Sequence, residues 1–280
     1  MRKYFAIILI LVWSGISGAQ SCEHDAAEHV RVDKVDLVGA ESVDPNITAA
    51  IIGNLQKDIS EECQLKLEFL ERLRDGFQQA GYFKALPGDG ISLQELQGTP
   101  TLKRFAVKVT VNPGEQYRLD HFAFTGGTVF SDTDLRATVP LVDGEIFNVE
   151  KMREALKNLR DKYGSQGYIN FTPVPNTEID DEKKRITITF DLDEGEQFRV
   201  GRLIFDGPEP CPGEYAKLVD AWAPYVGRVW NRELFQRWTE TMQRLQGDCA
   251  SKALLDHGQK VNPSTKTVDY SLQFKAAAGR

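Results

Sequence analysis

Gly114-Glu115-Gln116-Tyr117-Arg118 and Gly195-Glu196-Gln197-Phe198-Arg199 are one joint written twice, 81 residues apart. Val107-Lys108-Val109-Thr110-Val111-Asn112-Pro113 precedes the first, and Ile186-Thr187-Ile188-Thr189-Phe190-Asp191-Leu192-Asp193-Glu194 precedes the second. Both are strand-like runs that end in a turn. Each joint then leads into a further run that closes on glycine, His121-Phe122-Ala123-Phe124-Thr125-Gly126 and Arg202-Leu203-Ile204-Phe205-Asp206-Gly207. A strand-turn-strand junction that recurs at domain-sized spacing is an internal repeat, which has to be settled before a fold is assigned.

A second marker recurs with it. Gly144-Glu145-Ile146-Phe147-Asn148-Val149-Glu150 returns 83 residues later as Gly227-Arg228-Val229-Trp230-Asn231-Arg232-Glu233. Both copies set Asn where a helix N-cap belongs, with an acid in the first turn, where the helix dipole favours negative charge. A fainter copy lies upstream: Val35-Asp36-Leu37-Val38-Gly39 matches Phe122 to Gly126, and Ala80-Gly81-Tyr82-Phe83 matches Gln166-Gly167-Tyr168-Ile169. The chain reads as three diverged copies of one module.

The N-terminus carries a basic Met1-Arg2-Lys3, an apolar run from Tyr4 to Trp13, and small residues from Ser14 to Ala19. That is the pattern of a signal peptide cleaved after Ala19, with an uncleaved anchor as the alternative. The apolar run is short of the roughly 20 residues that a membrane helix needs. Export is therefore expected. The remaining length, about 260 residues, suits three modules of about 80–85. A net charge of −7 without a basic stripe argues against nucleic acid as a partner.

Cys22, Cys63, Cys211 and Cys249 form no CxxC pair, so metal or thioredoxin chemistry is not expected. An even count in an exported chain reads as disulfides. Cys22–Cys63 with Cys211–Cys249 keeps each bond inside one module, against the alternatives of free thiols and of lipidation at Cys22.

In chain order, a tether (20–29) is followed by modules over 30–113, 114–194 and 195–275 and a tail (276–280). In the first, Val30–Val38 alternates as a half-buried strand, and Asp44-Pro45 starts a short helix. A second helix runs from about Ser60 to Gln79 with Cys63, Leu67, Leu70, Leu73 and Phe77 on its apolar side. Two strands follow, one starting near Phe83 and one over Leu102–Val111. Loops are expected at Pro87-Gly88-Asp89-Gly90 and Gly98-Thr99-Pro100. The middle copy has a strand over Gln116–Thr125, a short helix behind Ser131 and Asp134, a long helix from Asn148, and strands at Tyr168–Thr172 and Arg185–Phe190. The third repeats the order, ending in Thr267–Phe274. Each module is β-α-α-β-β, an α+β unit whose two helices cover one face of a three-stranded sheet.

Gly after the first strand, Gly-x-apolar-aromatic-Asn before the second helix and Gly-Tyr after it resemble the POTRA (polypeptide-transport-associated) domain. The residues that carry the likeness are Phe124–Gly126, Gly144, Phe147-Asn148, Tyr163, Gly167-Tyr168 and Glu194-Gly195, with Phe205–Gly207, Gly227 and Trp230-Asn231 in the third copy. The resemblance implies a periplasmic arm like that of BamA-like and TamA-like assembly factors. Such an arm binds unfolded outer-membrane proteins, or an outer-membrane barrel or assembly subunit, by adding a strand to a sheet edge. After Phe274 only six residues remain, so no barrel of eight or more strands is expected within this sequence. The edges expected to bind are the strands after the long helices, at Phe83, at Ile169 and Phe171, and at Leu254 and Leu255. Pro173 and Pro175 blunt the middle one.

Chemistry is sought without result. His24, His29, His121 and His257 lack ligand spacing, no GxSxG, HExxH or P-loop occurs, and Asp180-Asp181-Glu182 reads as a solvated hairpin. No catalytic residue, metal, cofactor or small-molecule substrate is expected. Phe147, Tyr163, Trp230 and Trp238 read as core, while one of Trp222 and Trp230 is a candidate for exposure. The competing functions are a structural spacer that docks on a separate barrel protein and, more remotely, a secreted hydrolase.

Overall fold

A computed structural model describes residues 29–57, 64–99, 102–245 and 254–275. The expected signal peptide, nearly all of the expected tether, Cys22, Cys63, Cys249 and the expected tail lie outside them. The chain divides into two compact units. One runs to Ala123 and takes in Pro140–Ala155 and Pro175–Phe190; the other holds Phe124–Val139, Leu156–Val174 and the chain from Asp191.

The described residues form three three-stranded sheets, each with two α-helices between its first and second strands. The first is built from β1 (His29–Val38), α1 (Pro45–Leu55), α2 (Leu65–Gln79), β2 (Leu86–Thr99) and β3 (Leu102–Asn112). Its order is β1-β3-β2, with β3 parallel to β1 and antiparallel to β2. Val30, Val32, Phe105, Val107 and Val109 from the sheet pack with Ile51, Leu55, Phe69, Leu73 and Phe77 from the helices. The period-2 and helical patterns thus bury one face of each element.

The second contains β4 (Arg118–Thr125), α3 (Asp132–Arg136), α4 (Val149–Ser165), β5 (Thr172–Asp180) and β6 (Arg185–Asp193), in the order β4-β6-β5. The third contains β7 (Arg199–Asp206), α5 (Glu214–Trp222), a 3₁₀ turn at Ala223–Tyr225, α6 (Arg232–Leu245), β8 (Leu254–Asn262) and β9 (Thr267–Phe274). Its order is β7-β9-β8, with the same parallel and antiparallel pairings as the first. Trp222, Trp238, Met242, Tyr270 and Leu272 form its core.

The starts of helices follow the sequence. Asp44 accepts from Asn46 N (2.7 Å), Ser131 from Asp134 N (3.2 Å), Asn148 from Lys151 N (3.0 Å) and Asn231 from Leu234 N (2.8 Å). The glycine that closes each first strand has a steric cause. Gly39, Gly126 and Gly207 hold φ of 93°, 79° and 102°. A Cβ there would lie 2.3, 2.7 and 2.1 Å from the carbonyl oxygens of Val111, Leu192 and Phe274, each near the end of the last strand.

Four local expectations need correction. Pro87-Gly88-Asp89-Gly90 belongs to β2 rather than a loop, because an edge strand tolerates proline and the register breaks between Pro87 and Ile91. The strands expected from Phe83 and Tyr168 begin at Leu86 and Thr172, after turns. Leu67 is 64% exposed, and α2 buries Leu65, Phe69, Leu73 and Phe77 instead. Neither tryptophan is exposed: Trp222 is buried and donates Nε1–H to the Gly201 carbonyl (3.0 Å), and Trp230 is half-buried.

Candidate functional site

A three-stranded sheet has two edges, and in the first module they differ. β1 carries a bulge between Val32 and Lys34, and charges at Arg31, Asp33, Lys34 and Asp36. Bulges and charges are the ordinary defences of an edge. Asp33 pairs with Arg31 (3.3 Å) and with Arg104, and its carbonyl accepts Gln56 Nε2 (2.7 Å). The bulge is therefore pinned. β2 is regular from Ile91 to Leu96, between two register breaks.

Ile91 and Leu93 pair with Val109 and Val107 and so share their helix-facing side. Leu93 nonetheless remains 42% exposed. It lines a groove of about 560 Å³ together with Val35, Val107 and Ile52, while Gln56 and the polar side chains of Asp33, Asp36, Ser92 and Lys108 add to the lining. A groove with an apolar part beside a regular strand edge can take alternate side chains of an added strand.

The other modules offer less. β8 is regular from Asp256 to Asn262, but its side chains are mostly polar and Gly258 interrupts it. β5 holds Pro173 and Pro175. A bulge in β7, between Val200 and Leu203, echoes that in β1. There Arg202 N donates to Asp269 Oδ1 (2.7 Å), and Asp269 is buried.

Of the residues singled out by sequence, only Leu254 and Leu255 stand on an edge strand. Leu254 packs on the third core, whereas Leu255 is 58% exposed. Phe171 is buried and stacks on Tyr163 at 3.8 Å. Ile169 and Phe83 lie in turns, both half-buried. The run Ile91-Ser92-Leu93-Gln94 was missed, although its apolar-polar alternation is a strand signal. Cys211 is disulfide-bonded, and every other cysteine of the chain lies outside the described residues.

Phe83 belongs to the joint between the first two modules. Its ring meets Tyr117 at 4.7 Å and Phe147 at 6.0 Å, both edge-on. Tyr117 N–H donates to the Gly81 carbonyl (3.0 Å), and Gln116 Nε2 to that of Ala80 (2.8 Å). Asp181 Oδ1 accepts from both Lys84 Nζ and Tyr117 OH, each at 2.5 Å. These bonds, Lys84 first, hold the Asp181 carboxyl below the usual range, and Asp181 in turn raises Lys84. Burial, reinforced by Asp181, pushes the Tyr117 hydroxyl up. The second joint repeats the main-chain pattern: Phe198 N–H donates to Gly167 O (2.8 Å) and Gln197 Nε2 to Gln166 O (3.0 Å).

Among the described residues no helix is long and apolar enough to cross a membrane, and no three His, Cys, Asp or Glu side chains are grouped to hold a metal. His257 Nδ1 is 2.8 Å from Tyr270 OH, and His121 Nδ1 is 3.1 Å from Asp120.

The POTRA family model, described as surface antigen variable number repeat, matches residues 117–195. The outer membrane protein assembly factor BamA of Neisseria meningitidis serogroup B is 26% identical over 202 residues, 64% of this chain and 24% of its own length. BamA of Buchnera aphidicola subsp. Acyrthosiphon pisum is 23% identical over 141 residues, 50% of this chain and 22% of its own. The crystal structure of POTRA3-5 of Haemophilus influenzae BamA matches with a TM-score of 0.59 at 20% identity, covering 89% of this chain and 98% of that one. That likeness shows the fold. The chain spans about a quarter of the length of the curated relatives it matches.

Proposed function

Because the chain is an array of POTRA-fold modules resembling the periplasmic arm of BamA, we propose that it is a non-enzymatic periplasmic arm in outer-membrane protein assembly. It takes extended polypeptide as an added strand on β2 of the first module. The observation that carries this reading is the regular Ile91–Leu96 edge with the part-exposed Leu93 lining the groove beside it.

Magnitudes decide what the edge requires of a client. A six-residue strand gains about six main-chain hydrogen bonds at roughly 1 kcal/mol net each. Ordering its backbone costs about 1–2 kcal/mol per residue. Hydrogen bonds alone therefore do not hold it, and affinity comes from apolar side chains seated in the groove at about 25 cal/mol per Å². Outer-membrane strands, which alternate apolar and polar residues, have the matching period. Binding is weak and reversible, as delivery of a client demands.

The test is an NMR titration of the full chain with a peptide copied from an outer-membrane β-strand. Shifts are expected along Ile91–Leu96 and at Val35, Ile52 and Val107. Shifts confined to helix surfaces, or none along β2 at saturation with a folded barrel partner, would favour a docking subunit over a carrier of unfolded chains.

A further inference from the structure

The two joints are copies of one device, and residue-by-residue comparison separates what they share from what they do not. The matching main-chain bonds, Tyr117 N to Gly81 O and Phe198 N to Gly167 O, align position 117 with 198 and position 81 with 167. Counting three residues on from the two glycines sets Lys84 against Asn170. Arg118 N donates to Lys184 O and Arg199 N to Lys266 O, both at 2.9 Å. These bonds align the four-residue turns after β5 and β8, and so set Asp181 against Pro263. The Asn148 and Asn231 caps align Arg153 with Gln236.

Four of the groups used at the first joint are thus replaced by uncharged ones at the second, while Lys184 and Asp75 align with the charged Lys266 and Asp161. Lys84, Asp181, the Tyr117 hydroxyl and Arg153 give way to Asn170, Pro263, Phe198 and Gln236. At the first joint these groups act together. Asp181 gathers Lys84 and Tyr117, the Lys84 ammonium lies 5.4 Å from the Tyr117 ring and 5.8 Å from Phe83, and Lys184 lies 5.7 Å from Tyr117 on its own account. Arg153 of α4 reaches back to Asp75 of α2 (3.4 Å).

We infer that the first joint carries an ionic latch whose hold on the first two modules falls as ionic strength rises, whereas the second joint is indifferent to salt. The physical ground is exposure. Lys84 and Asp181 side chains are 42% and 64% exposed, so their attraction is open to screening. The backbone bond, the glutamine bond and the aromatic contacts remain when it is screened. Salt therefore loosens the first joint without parting it. The second joint keeps the backbone and glutamine bonds, and its exposed pair, Lys266 with Glu196 (2.8 Å), lies within the third module instead of across the joint.

Residual dipolar couplings measured on the full chain in a neutral stretched gel read the mutual order of neighbouring modules directly. Salts of about 0.1 M and about 1 M, with Debye lengths of about 10 and 3 Å, bracket the effect. The alignment tensor of the first module should shrink relative to that of the second in high salt and in Lys84→Asp, while the ratio of third to second stays fixed. The charge-swapped double variant, Lys84→Asp with Asp181→Lys, should restore the first ratio at low salt. The same spectra report whether each module is folded. A first ratio unmoved by salt and by Lys84→Asp would overturn the latch. So would equal changes at both joints, or failure of the swap to restore order while all three modules keep their native shifts.

Discussion

Glu194, one residue before the second joint, gathers four donors on one carboxylate: Tyr163 OH (2.8 Å), Thr128 N (2.8 Å), Thr128 Oγ1 (2.6 Å) and Val129 N (2.9 Å). Burial pushes its pKa up, but the donors outweigh it and hold the carboxyl below the usual glutamate range. A depressed folded value contributes stability that is full above the unfolded value of about 4.3 and is lost as pH falls through the folded one. Glu194→Gln should therefore cost about 1–3 kcal/mol at neutral pH. It should also flatten the loss of stability below about pH 4.3, both read by urea titration of the full chain at several pH values. Gly201 tests a different cause. A Cβ there would stand 1.9 Å from Asp269 Oδ1, the acceptor of Arg202 N. Gly201→Ala should cost about 2 kcal/mol or more, by displacing a buried carboxylate. Glu194-Gly195 was visible in sequence as part of a motif, although its four donors were not. Gly201 was invisible, because its partner lies 68 residues away in sequence, on β9.

At the scale of elements, legibility followed how local the signal was. The caps at Asp44, Ser131, Asn148 and Asn231 were readable because cap and capped amide sit within three residues, and Asn148→Ala should cost about 1 kcal/mol by thermal unfolding. β2 was misread because proline, glycine and broken register look the same in an edge strand and in a loop. The identity of the edges depends on pairing between β1, β3 and β2, which no local window contains. Leu93 is the element's most informative side chain. Leu93→Ser removes apolar surface that is already 42% exposed, so it should barely change stability. It should weaken strand-peptide binding about tenfold, or about 1.4 kcal/mol, by fluorescence titration with a labelled peptide. In the third module we propose Cys249 as the partner of Cys211. Non-reducing peptide mapping should find that pair. Reduction should then lower the stability of that module by about 2–4 kcal/mol and leave the middle module, which has no cysteine, unchanged.

For the whole molecule, the repeated joint and helix start, with the fainter upstream copy at Val35–Gly39 and Ala80–Phe83, were enough to count three modules. The second joint's Gln197 and Phe198 do what Gln116 and Tyr117 do at the first. The ionic additions at the first joint were hidden, because Lys84 and Asp181 are 97 residues apart and each looks like an ordinary surface charge. Among the described residues β1 is bulged, β5 bears prolines and β8 is regular but polar, whereas β2 is regular over Ile91–Leu96 beside a groove. On that asymmetry the functional reading stands. Amide hydrogen exchange of the full chain, with and without a saturating outer-membrane strand peptide, tests it most directly. The account predicts new protection on alternate amides of Ile91–Leu96, those facing away from β3, with β5 unchanged. Undiminished exchange along β2 in the saturated complex would contradict it.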